Sequence, residues 1–107
     1  IEGKNTVNGN SQVNDIGSYR VPNARADIRI VGDANGGLTV YWQTPNANAN
    51  AVADNWTPYN GNGKLPGTQP NYGGNGATVY VGLITYAYGD KGIPFVGTCD
   101  SVELIEH

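Results

Sequence analysis

The stretch Ala26-Asp27-Ile28-Arg29-Ile30, followed by Gly32-Asp33-Ala34-Asn35-Gly36-Gly37 and then Leu38-Thr39-Val40-Tyr41-Trp42-Gln43, decides the fold class. Ala26, Ile28 and Ile30 share one parity and Asp27 and Arg29 the other, which is the period-two pattern of a half-buried strand. The Gly, Asp and Asn residues that follow form a turn cluster, and the alternation then resumes. The simplest reading is a β-hairpin. Leu38, Val40 and Trp42 are expected to face the core, with Tyr41 pointing the other way.

Working outward, Thr78 to Tyr88 reads as the clearest strand: Val79, Val81, Leu83 and Ala87 lie on one side, and Tyr80, Ile84, Tyr86 and Tyr88 on the other. Ile93 to Thr98 is expected to pair weakly, and Cys99 to Ile105 to form a closing strand. Trp56-Thr57-Pro58-Tyr59 reads as a short strand. Residues 1–18 show no clear period and read as loop or a weak first strand. Pro45 stops the second strand of the hairpin, and the Asn/Ala run 46–51 reads as loop. Residues 60–75 hold five glycines and two prolines in sixteen positions, so no regular element is expected there. Loops of that length tend to be functional. Several short strands and almost no helix give an all-β expectation, an antiparallel β-sandwich of the jelly-roll kind.

The chain has 107 residues, enough for one domain, and is read as a single unit from 1 to 107 cut from a larger protein. Charged residues make up only 14%, well below the roughly 25% of an average globular protein. Solubility therefore rests on neutral polar groups, among them 14 Asn, and the 16 Gly add turn-forming positions. This composition suits an extracellular or particle-surface setting. A net charge of -3 with six scattered basic residues argues against nucleic acid as a partner, because that affinity comes from clustered Lys and Arg. The sequence contains no apolar run long enough for a membrane-spanning helix. The single Cys99 has no intrachain partner, and one thiol with one histidine makes no zinc cluster.

Enzymatic chemistry has little to work with: one histidine, His107 at the C-terminal end, one cysteine, six Asp and three Glu. A nucleophile–histidine arrangement lacks support. A carboxylate pair for glycoside hydrolysis would have to come from Asp33, Asp54, Asp90, Asp100 and Glu103. Most of these lie in Gly-rich turns, where Asp bonds its own backbone. No catalysis is expected.

The aromatics are more informative, because tyrosine joins a flat apolar body to a polar tip and so suits wet, polar ligands such as sugars. Tyr41, Tyr80, Tyr86 and Tyr88 are candidate ligand-binding rings on the strands, and Trp56 and Tyr72 are candidates beside the irregular segments. Asn and Asp side chains with Gly-rich loops also suit calcium. Asp33-Ala34-Asn35-Gly36 resembles the opening of an EF-hand loop but lacks the closing Glu, so it reads as a hairpin turn. Asn55-Trp56-Thr57 matches the N-glycosylation pattern.

Leu38-Thr39-Val40-Tyr41-Trp42, Asn55-Trp56-Thr57-Pro58-Tyr59-Asn60-Gly61, Ala77-Thr78-Val79-Tyr80-Val81-Gly82-Leu83 and Cys99-Asp100-Ser101-Val102-Glu103-Leu104 occur in that order. Together, over about residues 26–106, they resemble the jelly-roll carbohydrate-binding modules of the families four and nine type. The resemblance implies a two-sheet sandwich that is lectin-like and non-catalytic. It further implies a polysaccharide or surface glycan held by exposed aromatic side chains, and a structural calcium at Asp100. The chain is about thirty residues shorter than is usual for that family, and the family's N-terminal strands have no counterpart in it. Jelly-roll domains at the tips of phage tail fibres carry the same late-strand signature. They imply the alternative: a structural or assembly domain, forming a homo-oligomer through its Tyr-rich face.

Overall fold

The computed structural model describes residues 1–14, 25–45, 55–84 and 96–106. Among them the fold is all-β, with five strands in two antiparallel sheets and one 3-10 turn. Strand β1 (Gly3–Val7) pairs with β2 (Asn10–Asn14), and β3 (Asp27–Gly32), β4 (Leu38–Gln43) and β5 (Thr57–Pro58) form the second sheet in that order. No described helix is long and apolar enough to cross a membrane.

The first hairpin is closed by Asn8-Gly9, with φ of 50° and 79°. Positive φ at both central positions is what a type I′ turn requires, and its twist matches that of the flanking strands. The second hairpin is the one the alternation predicts, with Ile28 opposite Trp42 and Ile30 opposite Val40. Its turn is built by Asp33, whose Oδ1 accepts from the backbone N–H of Asn35 at 2.8 Å and of Gly37 at 2.9 Å. The Asp33 carboxylate thus serves the turn, as the sequence suggests. The Gly37 and Asn35 amides hold its carboxyl below the usual aspartate range. Because the folded value is lowered, the charge contributes stability above that range and loses it as pH falls through the folded value. The melting-temperature gap between wild type and Asp33→Asn should be open at neutral pH and close on acidification; a gap constant with pH would contradict this origin.

Tyr59 joins the two sheets. It directly follows β5, starts the 3-10 turn Tyr59–Gly61, and is the one large side chain among the described residues that is fully buried. The backbone N–H of Gly3 donates to its hydroxyl at 2.9 Å. A Cβ on Gly3 would lie 2.6 Å from the ring, so only glycine permits the approach. Asn5 adds the second tie: it is buried, and its Nδ2 donates to the carbonyls of Pro66 and Thr68.

The glycine-rich segment after Tyr59 has no regular element beyond the 3-10 turn, as expected, yet it is pinned at several points. Gly63 accepts from the Val40 N–H at 2.9 Å, and the Tyr72 N–H donates to the Gly36 carbonyl at 3.0 Å. Asn71 Nδ2 donates to the Asn35 carbonyl at 3.1 Å. Gly36, at φ 90°, has no room for a Cβ because the Asn71 side chain fills that space. The segment is a brace across the second hairpin turn.

Two expectations need correction. The stretch expected as the clearest strand, 78–88, is described as far as Ile84, and residues 78–84 pair with no described strand; residues 99–105, expected as the closing strand, pair with none of the described residues either. Alternation records which side chains share a face, but a strand also needs a ladder partner for its N–H and C=O groups, and no described neighbour supplies one. The second correction concerns Ile28 and Ile30, which are 53% and 61% exposed rather than half-buried. Among the described residues β3 pairs with β4 alone, and no described layer covers that face.

Candidate functional site

Register assembles the candidate site. Asp27 lies opposite Gln43, Arg29 opposite Tyr41, and Tyr41 opposite Pro58. Directly opposed residues project on the same side of a sheet, so Asp27, Arg29, Tyr41, Gln43 and Pro58 share one face. Gln43 Nε2 donates to Asp27 Oδ2 at 3.1 Å, which is the contact expected of that register. Trp56, two positions before Pro58, joins the same face: the Arg29 guanidinium carbon lies 4.4 Å from its ring centre. A stacked guanidinium at that distance is a cation–π contact.

This face brings together two of the candidate residues, Tyr41 and Trp56, both half-buried. The Trp56 Nε1 is shielded from solvent and has no hydrogen-bond partner among the described residues. The sequence reading did not single out Arg29, Asp27 or Gln43. The signal was present: they alternate on the strands that carry Tyr41, and that parity is the polar side of the hairpin.

The remaining candidates fall elsewhere. The Tyr72 hydroxyl donates to the Asp33 carbonyl and its ring lies against Gly32, so it serves the brace. Tyr80 is 96% exposed on a stretch with no described ladder partner and touches neither Tyr41 nor Trp56 in any described contact. Tyr86 and Tyr88 lie outside the described residues. Asp100 Oδ2 accepts from Arg25 Nη2 at 3.1 Å, with both side chains exposed. Among the described residues no three His, Cys, Asp or Glu side chains gather in one place. Asp100 therefore contributes one carboxylate toward the six to eight oxygens calcium takes, and that carboxylate already has a cation beside it.

A concavity of about 150 Å³ lies on the first hairpin and is lined by Asn5, Val7, Asn8, Asn10, Gln12 and Thr68. Carboxamides offer both donors and acceptors without charge, so this hollow suits a neutral polar group and has no titratable group for acid–base chemistry. Cys99, the free thiol, is exposed, and its Sγ donates weakly to the Ser101 carbonyl at 3.2 Å.

Comparison of the chain with protein-family models, curated proteins and solved structures finds no match in any of the three.

Proposed function

We propose that the domain is a non-catalytic carbohydrate-binding module whose ligand, a neutral polysaccharide or surface glycan, lies along the face made by Tyr41, Trp56, Arg29, Asp27 and Gln43. The observation that carries this reading is the convergence of two aromatic rings with a guanidinium, a carboxylate and a carboxamide on one side of a three-stranded sheet. Sugars present C–H faces to rings and hydroxyls to planar polar groups. Asp accepts, Arg donates and Gln does both. The uncharged hollow on the first hairpin supports the same ligand class, since its amides match hydroxyls and repel nothing. Closure of the two sheets into a jelly-roll sandwich belongs to the same reading.

Isothermal titration with soluble neutral polysaccharides tests the proposal. Saturable binding that weakens when the face is altered supports it, and no heat across a broad panel would overturn it. A structural calcium at Asp100 is a separate part of the proposal. It would displace Arg25 from the carboxylate and draw its other oxygens from further groups. A ligand that binds only the native state stabilises by RT ln(1 + [L]/Kd), so EDTA should lower the melting temperature if the ion is held; an unchanged value removes calcium from the account.

A further inference from the structure

We propose that the hollow on the first hairpin is a second binding site, for a single neutral sugar unit. It takes its ligand class from the glycan reading but none of its residues from the sheet face. Register sets Asn5 opposite Gln12 and Val7 opposite Asn10, so these four side chains share one face of the β1–β2 hairpin. The turn residue Asn8 and Thr68 of the glycine-rich segment complete a concavity of about 150 Å³. That segment forms one wall and is fixed in place. Asn5, 6% exposed, donates from Nδ2 to the carbonyls of Pro66 and Thr68. Gly67, at φ 72°, lies on Gln12, where a Cβ would stand 2.3 Å from Cγ. Gln69 Nε2 donates to the carbonyls of Leu65 at 2.7 Å and Gly67 at 3.0 Å. A wall held in this way before the ligand arrives leaves less to be ordered on binding.

Every described lining residue is uncharged. Asn5, Asn8, Asn10 and Gln12 are carboxamides, each an acceptor oxygen beside two N–H donors, and Thr68 adds a hydroxyl. Vicinal sugar hydroxyls, which donate and accept at neighbouring atoms, are the complement of such a set, and Val7 offers a small apolar surface to a C–H face. A water needs about 10–15 Å³, so the hollow holds on the order of ten water-sized groups, the size of one sugar ring with its hydroxyls. A uronate would give up its hydration to a lining that offers no countercharge, which disfavours it. The lining side chains do not titrate, so affinity should stay constant through the carboxylate and histidine ranges.

Proton–nitrogen correlation NMR of the whole chain resolves side-chain carboxamide signals and tests the proposal with the methyl glycosides of glucose, galactose and mannose, and with glucuronate. The Asn8, Asn10 and Gln12 side-chain signals should move saturably with at least one neutral glycoside, with a Kd in the millimolar range, and more weakly with glucuronate. Asn10→Ala and Thr68→Val, both at exposed positions, should each weaken the response of the remaining signals by roughly threefold to tenfold, the worth of one hydrogen bond. The backbone signals of the second hairpin should stay in place, which verifies folding, and Trp56→Ala should leave the response unchanged. Carboxamide signals that stay still with all three glycosides overturn the proposal, as does glucuronate binding as tightly as the neutral sugars. A response lost in Trp56→Ala and kept in both hollow variants also overturns it, and leaves the sugar on the sheet face alone. A hollow that responds while Trp56→Ala leaves polysaccharide affinity intact supports it, and overturns the sheet-face reading instead.

Discussion

Tyr59→Ala should unfold or nearly unfold the domain. The side chain is 1% exposed and is one of the two described ties, with Asn5, that hold the first hairpin to the rest of the fold. Truncating a buried aromatic to alanine costs about 3–5 kcal/mol, against about 5–15 kcal/mol for the whole stability of a domain. At roughly 4–8 °C per kcal/mol for a domain near this size, the melting temperature should fall by about 15 °C or more. Tyr59→Phe separates the two contributions. It keeps the ring and leaves the buried Gly3 N–H unsatisfied, so it should cost about 1–3 kcal/mol. A Tyr59→Ala chain that melts like wild type would show that the two sheets are held together by something else.

The second large effect is on the ligand. Trp56→Ala and Tyr41→Ala should each weaken glycan binding by about 1–3 kcal/mol, taking base–aromatic stacking as the nearest measured analogue, or roughly tenfold to a hundredfold. Trp56→Ala also removes the platform under the Arg29 guanidinium, so it should have the larger effect. Tyr72→Phe is the contrast. It deletes only the hydroxyl that bonds the Asp33 carbonyl, so it should lower stability and leave affinity unchanged. If Tyr72→Phe weakened binding as much as Trp56→Ala, the ligand would lie on the brace rather than on the sheet face.

The pairing of the second hairpin is legible in the sequence, because alternation on both strands and a Gly/Asp/Asn turn agree on one register, whereas the exposure of Ile28 and Ile30 is not. The short strand Thr57–Pro58 was legible too, its proline fitting an edge position. The first hairpin was not, because its flanks are polar and show no clear hydrophobic period. The readable signal there was the Asn8-Gly9 dipeptide, which alone fixes a two-residue turn. The expected strand over 78–88, described as far as Ile84, and the one over 99–105 lack a ladder partner among the described residues for a different reason. Period two describes side-chain direction and is silent about ladder partners.

The site was half legible. Tyr41 is a candidate because it points away from the core side of its strand and Trp56 because it lies beside an irregular segment, and register brings them onto one face with Arg29. Tyr72 is a candidate on the same grounds as Trp56 and is part of the brace, because its hydroxyl finds a backbone carbonyl 39 residues away in the sequence. Distance along the chain hid that contact. No local pattern announces an aromatic that serves a loop.

The most direct measurement is titration of wild type and Trp56→Ala, side by side, with the soluble neutral polysaccharide that wild type binds best. The account predicts saturable wild-type binding and a loss of tenfold or more in the variant, with the melting temperature lowered only slightly because Trp56 is half-buried. Equal affinity in the two proteins would contradict the placement of the ligand on this face.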